Sequence, residues 1–213
     1  ALPLPARDLL DNPLYRSPET GRPLTVILAN RGCPSRCVFC PAGAWSGYRV
    51  RFRSPESIVT ELGECVERFG TREFLFHGDT FTIRKSWLNE LCRRIEAARL
   101  DITWACNSRV DTLDEERAVW MRRAGCRIVA FGVESGSQVV LDAITKDETV
   151  EQQAQAIRWA HAVGIRVKAF IIVGLPSETW ETIQDTETFL TITQPDDADI
   201  TVLQVYPGAS VYE

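Results

Sequence analysis

The chain has 213 residues, 45% of them hydrophobic, enough to bury the core of one large globular domain. No stretch approaches the roughly 18 consecutive apolar residues that cross a bilayer, and a formal net charge of −5 leaves no footprint for nucleic acid. Seven cysteines without regular pairing, in a chain that opens with no hydrophobic signal segment, suit a reducing cytoplasm better than a disulfide-stapled secreted domain.

Taken in chain order, apolar runs of strand length alternate with longer stretches of helical period. Residues 1–23 are proline-rich and aperiodic, as in a linker or an arm lying over the fold, which leaves 24–213 as the core. A first strand is expected over 24–30, followed by a cysteine-bearing loop. Ser54-Pro-Glu-Ser opens a helix with a cap and a first-turn proline; Ile58, Leu62, Cys65, Val66 and Phe69 recur at helical spacing, and Gly70 stops it. A second strand over 74–77 leads to a helix over 87–100. A third over 102–106 leads to a helix over 114–124, and a fourth over 127–132 to a helix over 150–163. The fifth strand spans 167–173, its helix 178–191, and a sixth strand 200–205. Such alternation predicts a parallel sheet with right-handed crossovers. Six units are too few for a closed eight-stranded barrel, and spacing alone leaves an open partial barrel and a doubly wound sheet both standing. Either places ligands at the carboxyl ends of the strands.

The loop reads Arg31-Gly-Cys33-Pro-Ser-Arg-Cys37-Val-Phe39-Cys40, a C-x3-C-x2-C spacing short enough to wrap one inorganic cluster. A cubane [4Fe–4S] cluster has four irons held by thiolates, so three cysteines leave one iron open to an outside ligand. Structural zinc takes four ligands and its cysteines arrive as two pairs; no second pair follows here, and His77 and His161 lie far along the chain. Ferredoxin-type carriers use C-x2-C-x2-C with a fourth cysteine. The competing reading is a cysteine-bound zinc module that supports folding or a partner contact without turnover.

With Phe39 just before its last cysteine, this triplet resembles the hallmark of the radical S-adenosylmethionine (SAM) superfamily. The resemblance implies an open six-stranded parallel partial TIM barrel, a (β/α)6 core, in which the amine and carboxylate of SAM chelate the open iron, with Phe39 at the cofactor site. It implies that a reduced cluster passes one electron into the sulfonium, that the S–C5′ bond breaks, and that a 5′-deoxyadenosyl radical abstracts hydrogen from a substrate. The cofactor supplies that chemistry while the protein binds, orients and excludes water, and a flavodoxin- or ferredoxin-type reductant protein is expected with it. Further along, His77-Gly78-Asp79 stands where the family carries a G-G-E type motif. Gly78 permits close backbone approach, and Asp79 can accept charge-assisted hydrogen bonds from the cofactor's ammonium with one methylene less reach than Glu. Asn107 and Arg109, at the third strand end, are candidates to touch cofactor or substrate, with Arg109 either forking onto a carboxylate or bridging to Asp111.

The stretch Gly132-Val-Glu134-Ser135-Gly-Ser-Gln138, with Lys146 downstream, resembles a subset of the superfamily. By that likeness Glu134 and Ser135 face the adenosyl group and Lys146 neutralises the methionine carboxylate. The plainer account is a helix start capped by Ser135 or Ser137, with Lys146 in solvent. Ile171-Ile-Val-Gly174-Leu-Pro176 resembles the glycine-bearing motif that flanks adenine, and Glu178 is expected to complement a helix dipole. The proline-rich start and residues 54–82 resemble the cobalamin-linked group, so cobalamin is expected through an N-terminal domain outside these 213 residues, with this chain the catalytic core of a larger protein. Two net outcomes follow from the resemblance: cobalamin-assisted methyl transfer or rearrangement, and cobalamin-independent hydrogen abstraction. Cys65, Cys92, Cys106 and Cys126 are expected as dispersed, buried hydrophobes, with only Cys106 near the open strand ends. Trp45, Tyr48 and the basic stretch 49–53 are expected at an entrance or on a surface loop. Early arginines and late acids read as solvated surface, or, at the arginine end, as a site for a polyanionic substrate.

Overall fold

All of the predicted strands and helices form, and their winding decides between the two architectures that spacing left open. The computed structural model describes residues 3–212; residues 1 and 2 of the expected arm and residue 213 of the expected core lie outside the described residues. The strands are β1 (Leu24–Leu28), β2 (Asn30–Arg31), β3 (Arg51–Phe52), β4 (Glu73–His77), β5 (Thr103–Ser108), β6 (Cys126–Glu134), β7 (Arg166–Val173) and β8 (Asp197–Val202). The helices are α1 (Ala42–Ser46), α2 (Pro55–Phe69), α3 (Lys85–Ala97), α4 (Glu115–Arg123), α5 (Gln138–Ala143), α6 (Val150–Ala162) and α7 (Trp180–Thr193). Six strands form one parallel sheet in the order β1-β4-β5-β6-β7-β8, while β2 and β3 pair antiparallel as a separate clasp. The order never reverses along the chain. A doubly wound sheet reverses at its switch point, so this sheet is a segment of a barrel, open between β1 and β8.

Local chemistry fixes the element ends. Ser54 caps α2 by accepting from the Ser57 N–H, Pro55 opens the helix, and Gly70 leaves it at φ +65°. Asp114 caps α4, and capping boxes Thr149/Gln152 and Thr179/Thr182 start α6 and α7. The last helix therefore begins two residues later than expected, leaving Glu178 in the preceding turn. The sixth strand ends at Val202 because its register with β7 runs out at Val173. The clasp and the short helix α1 escaped the sequence analysis, each too short for periodicity to register; α5 is the expected helix start, with Ser137 at its N-cap position but no capping bond from that side chain.

Side chains alternate across most of the sheet, interrupted by register shifts at Trp104/Ala105 and Gly132/Glu134. Phe74, Phe76, Trp104, Cys106, Val129, Phe131, Val133, Val167, Ala169 and Ile171 pack against the helices in the main core. The alternate residues Asn107, Ala130, Gly132, Glu134 and Phe170 face the concave side. Cys106 thus points into the helix layer, away from the concavity, which removes the one placement that made a role at the site conceivable. Nor are the outlying cysteines all dispersed: Cys106 neighbours Cys92 and Cys126, and burial pushes the Cys92 and Cys126 thiols up, so both remain neutral.

Four aromatics anchor the loop after β4 to this core. The Phe81 ring lies 5.2 Å from Phe76, 5.5 Å from Trp87 and 5.6 Å from Trp104. Both indoles are satisfied, Trp104 donating to the Ala124 carbonyl and Trp87 to the Arg53 carbonyl, each at 2.7 Å. The N-terminal residues cross the opposite end of the strands. Arg7 donates to the Val26 carbonyl and pairs with Glu61 of α2, Arg53 takes the same carboxylate at 2.5 Å, and Glu19 reaches Arg166 at 3.3 Å. Phe81→Ala, at a fully buried position, is expected to destabilise the chain by about 3–5 kcal/mol. Denaturant unfolding checks it: the midpoint should fall while the slope stays as in the parent.

Candidate active site

The cysteine loop is tied down at both ends. β2 and β3 clasp its stem, with Arg31 opposite Arg51. Gly32 adopts φ +95° against the Arg49 carbonyl, leaving no room for a Cβ, and its N–H donates to Asp79 Oδ2 at 2.5 Å. The Cys33 N–H donates to the Gly47 carbonyl, and the Val38 N–H to the Ile144 carbonyl at 3.0 Å. Val38 and Phe39 pack on a small apolar group of Val140, Leu141, Ile144 and Leu175. Through that contact the aromatic before the last cysteine seats the loop on the segment carrying Lys146.

Cys33, Cys37 and Cys40 line one cavity of about 310 Å³ at the carboxyl ends of the strands, at the small end of the range for small-molecule sites. Phe39, Asp79, Asn107, Arg109, Glu134 and Lys146 share its walls with the three cysteines. Three predicted residues do not reach the lining. Gly78 is packed against the Asn30 side chain, so the close approach it permits is to protein. Ser135 is buried behind the strand end, bonded to Thr186 and the Ser137 N–H. Gly174 has φ +92°, and its N–H is taken by the Glu178 carboxylate, so that acid closes a turn and does not cap a helix. Asp79 lines the cavity with one oxygen already committed to Gly32.

Behind the cysteines lies a buried charge network. Arg109 forks onto Asp111 through Nε at 2.9 Å and Nη2 at 3.1 Å, reaches the Lys146 carbonyl at 2.7 Å, and approaches Cys37 Sγ at 3.7 Å through Nη1. The expected bridge to Asp111 is present and is itself two-pronged. Lys146 is 3% exposed, far from the solvated alternative, and donates to Glu134 Oε1 at 3.0 Å. Burial opposes its charge, but Glu134 and Glu148 outweigh that and raise its pKa. Glu134 has φ +64°, and Thr145 and Asp147 on either side of Lys146 also have positive φ, so strained backbone holds Glu134 directly and flanks Lys146. Gly132 makes room for it: a Cβ there would come 2.5 Å from Glu134 Oε1 and 3.0 Å from Lys146 Nζ.

Burial pushes the Cys37 and Cys40 thiols up; Lys146 and Arg109 pull Cys37 back, and a backbone bond from Ala42 does so for Cys40. The Thr80 hydroxyl donates to Cys33 Sγ at 3.3 Å. This donor set fits a thiolate-held cluster, with N–H and O–H groups already aimed at two of the three sulfurs. Among the described residues no group of Cys, His, Asp or Glu side chains converges as a single metal ion requires.

Sequence analysis missed Ser35, Arg36 and Phe170 in the lining and Glu148 behind it. Phe170, Ala130 and Gly132 follow from period two along β6 and β7. Glu148 leaves no such trace. Its side chain is fully buried, and Arg109 Nη2 lies 3.0 Å away but off line, so neither carboxylate oxygen accepts a hydrogen bond. Burial pushes this carboxyl up to about 7, against the pull of Lys146 and Arg109. Because the folded value lies above the ordinary 4.5, folding favours the protonated acid. The stability it contributes is full below about pH 4.5 and lost as pH rises to about 7, on the order of 3 kcal/mol. Glu148→Gln should remove that component from the pH profile of unfolding free energy in the metal-free chain.

Comparison with known proteins agrees with this geometry. The radical SAM superfamily profile matches residues 27–190. An uncharacterized methyltransferase of Pyrococcus horikoshii is 36% identical over 212 residues, 100% of this chain and 46% of that protein. The anaerobic magnesium-protoporphyrin IX monomethyl ester cyclase of Rubrivivax gelatinosus is 31% identical over 186 residues, 86% of this chain and 33% of that protein. The solved radical SAM methyltransferase TsrM of Kitasatospora setae, with cobalamin and a [4Fe–4S] cluster bound, superposes with a TM-score of 0.81 over 88% of this chain and 38% of that one, at 23% identity, which shows the fold. The chain therefore spans less than half the length of these proteins. Its match to the superfamily profile, its identity to these relatives and its open six-stranded parallel barrel establish that the chain belongs to the radical SAM superfamily.

Proposed function

We propose that Cys33, Cys37 and Cys40 hold a [4Fe–4S] cluster whose open iron binds SAM, and that the chain is the radical-generating core of a longer enzyme, with residues 1–23 as an arm on a core from residue 24. The family's cofactors are that cluster and SAM. The observation that carries the assignment to these residues is the convergence of three sulfurs from one pinned loop on a cavity whose other walls bring Arg109, Lys146 and Glu134. When bound, the cluster and SAM supply one-electron cleavage of a carbon–sulfur bond. The chain's residues do the rest. Arg109 and Thr80 donate to ligand sulfurs, Phe39 seats the loop, and Asn107 and Asp79 offer polar contacts to a zwitterionic ligand. The Lys146–Glu134 pair presents a fixed cation and anion at the strand ends.

Radical SAM enzymes need a reductant, and we assign that role to a flavodoxin- or ferredoxin-type protein in a reducing compartment; all seven cysteines are free. No helix among the described residues is long and apolar enough to cross a membrane. For the longer enzyme we favour methyl transfer assisted by cobalamin, because relatives across different substrates carry methyltransferase names and a matching structure holds cobalamin. Anaerobic reconstitution should give about four irons and four sulfides per chain, a changed electron paramagnetic resonance spectrum of the reduced cluster on adding SAM, and 5′-deoxyadenosine under strong reductant. Cys37→Ala should abolish all three, and one zinc without sulfide would sink the assignment. Gly132→Ala should keep the iron content yet weaken the SAM-induced spectral change by about tenfold or more in apparent affinity, because it displaces the Lys146–Glu134 pair.

A further inference from the structure

Between Glu19 and Glu56 the chain has no acidic residue and six arginines, although its net charge is −5. The fold gathers most of these on the cysteine loop. Arg31 lies directly opposite Arg51 in the clasp, Arg49 follows through the contact at Gly32, and the Arg36 guanidinium stands 4.5 Å over the Tyr48 ring. Arg84 extends the surface, 4.3 Å over Phe52 on the clasp. Arg22 and Arg53 are paired with Glu73 and Glu61, whereas Arg31, Arg36, Arg49, Arg51 and Arg84 are exposed and meet no carboxylate among the described residues. Like charges set directly opposite weaken a two-stranded pair, so this clasp carries a cost that a merely solvated face would avoid. Trp45, 70% exposed, and Tyr48 stand among the arginines, and Cys40 is exposed on the same loop. Arg, Trp and Tyr are the side chains that dominate protein–protein binding energy.

We propose that this arginine rim is the docking surface for a small acidic electron-carrier protein, which delivers its electron to the centre held by the same loop. The proposal rests on the reading of Cys33, Cys37 and Cys40 given above. One electron leaves the carrier's reduced flavin or iron–sulfur centre, which is oxidised by one, and the cluster is reduced by one; no proton or group moves. Complementary charge of this kind sets encounter rates and makes them fall with salt. A small polyanion is the other ligand a cationic rim attracts, but the exposed aromatics and the spread from Arg84 to Arg49 suit the broad face of a protein.

The test uses the reconstituted chain, an acidic flavodoxin, and the double variant Arg31→Glu/Arg49→Glu, whose two positions lie outside the cavity lining. Calorimetry should show oxidised flavodoxin binding the parent, with affinity falling about tenfold or more in the variant, and falling in the parent as salt rises from about 50 to 500 mM. Bleaching of the cluster by flavodoxin hydroquinone should slow by a similar factor, while bleaching by uncharged photoreduced 5-deazariboflavin stays unchanged. The neutral pair Arg31→Gln/Arg49→Gln should fall between and guards against misfolding of the charge-reversed chain. Equal flavodoxin binding and rates in parent and variants would overturn the proposal, as would loss of inorganic pyrophosphate binding alone. No bleaching in the deazaflavin arm would mean that no reducible cluster forms, which overturns the proposed function first and the docking surface with it.

Discussion

The guanidinium of Arg109 joins the three strand-end segments on which the site stands. From the end of β5 it grips Asp111 in its own turn, the Lys146 carbonyl beyond α5, and the sulfur of Cys37 on the cysteine loop. Five donors in a rigid plane allow this, and a lysine ammonium could not address three directions at once. Both cations of the network are buried, with the buried Glu134 and Glu148 between them and Asp111 at the solvent edge. Removing either cation would strand acids in a dry environment, a cost greater than the attraction lost. A raised pKa for Glu148 belongs to the same balance: with that acid protonated, two cations face two carboxylates.

The sheet supports this by a division of labour along each strand. Outward positions carry Phe, Trp, Val and Ile into the helix layer, whereas inward positions near the site, Phe170 apart, are small or polar, Ala130 and Gly132 among them. A barrel interior of branched side chains would fill itself. Here the concavity stays open because those inward residues give up volume, and the freed space admits Lys146 from the loop after α5 to meet Glu134 at the end of β6.

Much of this was legible in the sequence. Caps such as Ser54 and Asp114 mark helix starts by local hydrogen bonding, so they can be read without knowing the fold, whereas the cap at Thr179 lies one residue beyond the expected start of its helix at 178. Cysteine spacing and the Glu134…Lys146 stretch located the site for the same reason: a loop and a strand end carry their chemistry close together. What escaped depends on the third dimension. Ser135 is a polar residue buried against Thr186 of α7, Glu148 one buried beside Arg109 and Lys146, and Gly78 is a glycine because Asn30, 48 residues earlier, presses on it. Open-barrel and doubly wound sheets share one linear pattern and differ only in the order of winding, which periodicity does not encode.

The raised pKa values of Cys37 and Cys40 bear on how their sulfurs react. Oxidants and electrophiles attack thiolates, not thiols, so these two side chains are poor targets even though Cys40 stands exposed. On the cluster reading proposed above, a metal taken up by these sulfurs displaces their protons, so loading the loop releases acid.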